Sequence, residues 1–160
     1  MVFGIVLLLA AQKGAESIEN HFIQEQMMKN SLTNGPHHIG LTVSNLEQSA
    51  AFFTGILGWE EVKRNEEYPS IFVSDGHVMI TLWAIKETPE VPFNRKANVG
   101  LHHLALQVSS EAALNQISQS LTDNQMNVEF APELLGNGPA KHMMCNDPSG
   151  IRIEFIWLGQ

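Results

Sequence analysis

Apolar and polar residues alternate with period two in several short runs of this chain, and two of those runs are near copies. In residues 36–44, PHHIGLTVS, the residues Ile39, Leu41 and Val43 fall on one face of an extended strand, and His38, Gly40 and Thr42 on the other. Residues 101–109, LHHLALQVS, repeat the plan 65 residues further on, from His37 to His102, with Leu104, Leu106 and Val108 opposite His103, Ala105 and Gln107. A pattern that recurs at a fixed offset argues for two copies of one supersecondary unit. The apolar face of each strand has to pack, so the histidine on the small and polar face points into a cleft rather than into the core.

The remaining elements follow from the same reading. Asn34-Gly35-Pro36 is turn chemistry ahead of a strand at 37–44. Ser44 and Glu47 form a capping-box pattern, and Leu46, Ala50, Phe53 and Leu57 recur at helical spacing, which predicts a helix over 45–56 stopped by Gly58. Strands are predicted at 59–64, 70–74 and 77–85, the last two joined by an Asp75-Gly76 turn. Residues 86–100 hold two prolines and mixed charge without a period and read as a linker. The second copy then gives a strand at 101–109, a helix at 110–123 with Leu114, Ile117 and Leu121 on one face, and strands at 126–130, 141–146 and 151–157. A glycine-rich loop at 136–139 reads either as a long turn or as a lid, and Asp147-Pro148-Ser149-Gly150 makes the final turn. The expected fold is α+β, two βαβββ modules (36–85 and 101–158) in a single domain, with one helix on one face of each sheet and the other face open.

Composition narrows the picture. With 160 residues and 44% hydrophobic content one core is expected, and a net charge of -8 with nine basic residues argues against nucleic acid as a partner. Cys145 is the only cysteine, which excludes an intrachain disulfide framework, fits a cytoplasmic, reducing compartment, and reads as a small core residue. Residues 1–35 are read as an extension, either disordered or produced by a start placed upstream of Met27 or Met28; an accessory helix and a targeting segment are the alternatives. Its apolar run, residues 2–11, is shorter than the roughly 20 residues a bilayer crossing needs, so stable membrane insertion is not expected.

The last strand, IRIEFIW, supplies the candidate chemistry. Ile151, Ile153, Phe155 and Trp157 share its packing face, which puts Arg152, Glu154 and Ile156 on the cleft face with His38 and His103. Two imidazoles and one carboxylate on an open face match the 2-His-1-carboxylate set used for Fe(II) and related divalent ions. His37 and His102 point the other way by parity and read as structural. Arg152 either receives a substrate anion or makes an ion pair. His142 is placed as an acid or base beside the site, and Met79 and Trp83 as cleft walls.

Taken together, HHIGLTVSNLEQSAAFFTGILGWE, LHHLALQVS and DPSGIRIEF resemble the vicinal oxygen chelate superfamily, which includes glyoxalase I, extradiol dioxygenases, methylmalonyl-CoA epimerase, and fosfomycin and bleomycin resistance proteins. The resemblance implies the glyoxalase/bleomycin resistance/dioxygenase fold, an open barrel-like cleft, and a divalent metal ion held by His38, His103 and Glu154. Glyoxalase I and the epimerases carry a fourth ligand, Glu or Gln, on the fourth strand; Thr81 stands there and is neither a good ligand nor a base near neutral pH. Extradiol enzymes carry a tyrosine ten residues before the carboxylate ligand; Met144 stands there, and Tyr68, the one tyrosine, lies elsewhere. The expectation is a metal-dependent enzyme that chelates a small substrate through two oxygens, leaning to a dioxygenase-type site with Fe(II) or Mn(II), with Ni(II), Co(II) and Zn(II) as alternatives. A glyoxalase I-like lyase or isomerase and a non-catalytic, resistance-type binding protein are the rival readings. His142 and Thr81 are the candidate catalytic positions, Trp83, Met79, Arg152 and Met144 the candidate substrate contacts, and a homodimer is expected.

Overall fold

Period-two alternation produces the strands it predicts, and each sheet buries its apolar face under a helix. The computed structural model describes residues 31–87 and 93–160, so the expectations for residues 1–30 lie outside the described residues. Strand β1 (His38–Val43) is followed by helix α1 (Leu46–Ala51), which continues as one π-helical stretch over Phe52–Ile56. Strands β2 (Glu60–Asn65), β3 (Ser70–Ser74) and β4 (Met79–Ala84) complete the first module. The second repeats it with β5 (Leu104–Gln107), α2 (Glu111–Asp123), β6 (Val128–Leu134), β7 (Lys141–Asn146) and β8 (Arg152–Trp157). The two sheets run in the orders β1-β4-β3-β2 and β5-β8-β7-β6, each with one parallel pair, β1 with β4 and β5 with β8. Among the described residues the two sheets do not close into a barrel. Among the described residues no helix is long and apolar enough to cross a membrane.

The core lies where parity puts it. Leu41, Val43, Ile71, Val73, Ile80 and Leu82 pack with Phe52 and Phe53 in the first module, and Met143, Cys145, Ile153 and Phe155 with Leu114 and Leu121 in the second. Cys145 is fully buried, and burial pushes its thiol up to about 12, so it packs as a small apolar residue.

Several local expectations are corrected. The first helix is capped by Asn45, whose side chain accepts from the Gln48 N–H at 3.0 Å, rather than by Ser44. Ser44 is drawn away to Ser149, and Glu47 reaches Arg64 instead of closing a capping box. Strand β5 is shorter than 101–109 because the chain bends at His102. Strand β6 runs past 130 through Pro132, which is tolerated because β6 is an edge strand with register shifts against β7. The 136–139 loop is fastened rather than free, with the Leu135 N–H donating to the Ala140 carbonyl at 2.8 Å and Pro139 seated so close to Gly159 that any Cβ there would come within 2.7 Å of it.

The Asp147-Pro148-Ser149-Gly150 turn ties the modules together. Asp147 Oδ1 accepts from the backbone N–H groups of Ser149 (2.9 Å) and Ile151 (2.8 Å), while Ser49 Oγ, from α1, donates to Oδ2 at 3.2 Å. Ser149 Oγ in turn accepts from the Ser44 N–H at 3.0 Å.

Burial lifts the Asp147 carboxyl above its ordinary value, opposed by the hydrogen bonds from Ile151, Ser149 and Ser49. The folded state therefore holds this proton more tightly than the unfolded state. The contribution of Asp147 to stability is fully present below the unfolded value and is lost as pH rises through the folded one. Asp147→Asn keeps the acceptor and removes the charge. We expect it to be at least as stable as the parent at pH 7, to within about 1 kcal/mol, and the parent to gain on it as pH falls toward about 4; urea midpoints of the two proteins across that range provide the check.

Candidate active site

Glu154 is forced onto the open face of β8 because Ile153 and Phe155, on either side of it, are core residues. Its side chain is 11% exposed and is held between two imidazoles. His103 Nε2 lies 3.0 Å from Glu154 Oε2, and His142 Nδ1 lies 2.6 Å from Oε1. Among the described residues no Lys or Arg is paired with this carboxylate. His142 comes from β7, opposite Ile156, with its ring tilted against Phe130 at 5.1 Å between centroids and its Nε2 3.9 Å from Glu133 Oε1. Met144 is the direct cross-strand neighbour of Glu154 on the same face.

His38 lies on the other sheet. Its side chain hydrogen-bonds to His37, Nδ1 to Nδ1, at 2.9 Å, and His102 and His103 repeat that contact at 2.8 Å. The expectation that His37 and His102 turn away from their neighbours does not hold, because both precede the regular part of their strands, where parity no longer dictates direction. Partial desolvation, then chiefly the positive charge of Arg95, hold the His102 ring below its ordinary value. Among the described residues no three His, Cys, Asp or Glu side chains are grouped so that all could bind one ion. The donor types suit a divalent ion, but His103 Nε2 and Glu154 Oε2 are in direct contact with each other and His38 stands in the first module, so the set fits an ion only in part.

The open face of the first module is aromatic. Thr81 pairs with Gly40 across β1 and β4, the rung that Ala105 and Glu154 occupy in the second module, so Thr81 is the internal counterpart of Glu154. Its hydroxyl accepts from Trp83 Nε1 at 3.0 Å and reaches the Ile39 carbonyl at 3.5 Å. A Cβ at Gly40 would come within 3.4 Å of both Thr81 Oγ1 and Trp83 Nε1, so the glycine makes room for the indole. Tyr68 and Phe72 meet the Trp83 ring edge-on at 5.2 and 5.9 Å, and Lys86 Nζ sits 3.4 Å from the Tyr68 ring centroid. Met79 shares this face opposite His38. Sequence reading placed Trp83 and Met79 here and missed Tyr68, which lies outside the strands; the Phe72–Trp83 contact was within reach through β3 parity. Arg152 donates from Nε to Glu129 Oε2 at 2.8 Å.

Comparison with known proteins agrees with this architecture. The sequence profile of the Glyoxalase/Bleomycin resistance protein/Dioxygenase superfamily matches residues 35–155. The uncharacterized protein YqjT of Bacillus subtilis (strain 168) is 30% identical over 125 residues, covering 75% of this chain and 96% of that protein. The metapyrocatechase of Pseudomonas sp. (strain CF600) is 26% identical over 119 residues, 74% of this chain but 36% of its own length, so this chain spans about a third of that relative. Among solved structures, a glyoxylase/bleomycin resistance protein/dioxygenase domain from Frankia sp. EAN1pec superposes with a TM-score of 0.69 at 25% identity, over 79% of this chain and 98% of that one.

The packing around Trp83 is directly testable. Gly40→Val places a branched side chain where the indole and the Thr81 hydroxyl lie. We expect one of the three indole N–H signals in the NMR spectrum to move, with a stability loss of about 1–3 kcal/mol; an unmoved set of indole signals would mean that Trp83 does not occupy this position.

Proposed function

The chain belongs to the Glyoxalase/Bleomycin resistance protein/Dioxygenase superfamily, and on that premise we propose that it is a metal-dependent enzyme holding a small substrate through two vicinal oxygens. The observation that carries the proposal is Glu154, a residue only 8% exposed whose side-chain partners among the described residues are two imidazoles. Buried carboxylates are stable when paired or when they coordinate a metal ion. In this reading His103 and Glu154 hold a divalent ion from one copy, and His38 completes the set from the first module of a second copy, making the homodimer the functional unit. When bound, the ion supplies Lewis acidity toward the paired oxygens of the substrate.

The chain's own residues do the rest. His142 is oriented by its Nδ1 contact with Glu154, which leaves Nε2 to take or return a substrate proton. Trp83, backed by Tyr68 and Phe72, offers a planar wall, with Met79 beside it, and Met144 lies next to Glu154. Thr81 spends its hydroxyl on positioning Trp83, so its role is to hold that wall and it brings no fourth acidic ligand. That favours a dioxygenase-type site taking Fe(II) or Mn(II). A glyoxalase I-like lyase or isomerase is the second reading, favoured by the 2.6 Å contact that sets a proton-transfer group at the carboxylate.

Two measurements test the site. Glu154→Ala should lose the metal found by elemental analysis in the parent, and unchanged metal content rejects the assignment. Neither His38→Ala nor Glu154→Ala should bind metal alone, yet refolding them together should restore roughly a quarter of the parent's metal per chain, from random pairing in a closed two-fold dimer; no recovery would place the site within one chain or nowhere. Oxygen uptake with catechol, set against consumption of the hemithioacetal of methylglyoxal and glutathione, separates the two reactions.

A further inference from the structure

A second cluster of charge lies on the same face of β8, one alternation away from Glu154. A cavity of about 350 Å³ is bordered by Arg95 and Lys96 from the segment before β5, by Glu129 on β6, and by Asn146 and Arg152 on β7 and β8. It contains three cations and one anion in a chain whose net charge is -8. Arg152, with a side chain 11% exposed, donates its Nε to Glu129 Oε2 at 2.8 Å, and Arg95 Nη2 approaches the same oxygen at 3.9 Å. Among the described residues the Nη atoms of Arg152 have no hydrogen-bond partner. Two guanidinium groups from distant parts of the sequence are thus drawn to one carboxylate oxygen, which leaves donor capacity and positive charge unspent in a partly buried pocket. A planar, forked donor pair is suited to binding an oxyanion through two bonds at once.

We infer that this pocket is an oxyanion subsite, in which Arg152 and Arg95 anchor a carboxylate or phosphoryl group of the small-molecule substrate while Glu129 holds the two guanidinium groups in place when it is absent. Residues two apart on a strand lie about 7 Å apart, so the anchored group sits roughly that far from the Glu154 end of the site. The inference rests on the proposed site for its meaning as a substrate contact, and on the arginine geometry for its existence.

The test is a titration of the full chain, followed through the arginine Nε–H signals by NMR, with acetate, inorganic phosphate and, as the ionic-strength control, chloride. The subsite requires saturable movement of the Arg95 and Arg152 signals with acetate or phosphate beyond that given by chloride, and the anion that saturates first identifies the group. Arg152→Met should abolish the response. Glu129→Gln, which removes the competing carboxylate, should tighten anion binding roughly three- to tenfold. A purely structural Arg152–Glu129 pair predicts no such gain. No movement beyond chloride, or unchanged or weaker binding in Glu129→Gln, overturns the subsite. Metal content measured on the same samples keeps the two ideas apart: anion binding by a parent that takes up no metal sinks the metal-enzyme reading alone, and a metal-loaded parent without anion binding sinks the subsite alone.

Discussion

A carboxylate placed between two core residues has one direction left to it, and the second module is arranged around that fact. Ile153 and Phe155 are drawn into the interior by their burial, so Glu154 must face the opposite side of β8. Left without partners there it would cost several kcal/mol. His103 and His142 meet its two oxygens from neighbouring segments, and the strand order β5-β8-β7 is what brings them. The polar centre is therefore a by-product of how the core is packed, and it cannot be moved along the strand without turning the core outward.

The two modules meet through the turn before β8, where Asp147, Ser149, Ser49 and Ser44 form a connected set of hydrogen bonds. β1 pairs with β4 and β5 with β8, and neither first strand pairs with the other. Each keeps an unpaired edge next to its histidine. That arrangement accounts for His38 standing apart from His103 within one copy.

Much of this was legible in the sequence, and the pattern of what was not has physical causes. The repeat, the α2 helix, and strands β7 and β8 were readable because hydrophobic periodicity is enforced over several residues by burial on one face. The parity argument placed Glu154 for the same reason, and His103, immediately ahead of β5, beside it. It failed at His37 and His102, which lie just outside the ladder, where nothing imposes alternation. The first helix cap was misassigned because Ser44 had a better partner 105 residues away in Ser149, a contact no local rule contains. Tyr68 was passed over since a residue in a turn carries no face of its own; it gained one from the position of Trp83. Arg152 was read as either an ion pair or an anion contact, and Glu129, whose bulged strand blurs its parity, was the missing element.

Thr81 and Glu154 occupy the same rung of a repeated ladder and have become chemically unlike. Were both rungs acidic, the two modules would carry the same group at the same place. With an ionisable group on one and an alcohol that accepts from an indole N–H on the other, the two halves of the fold present unlike chemistry at equivalent positions.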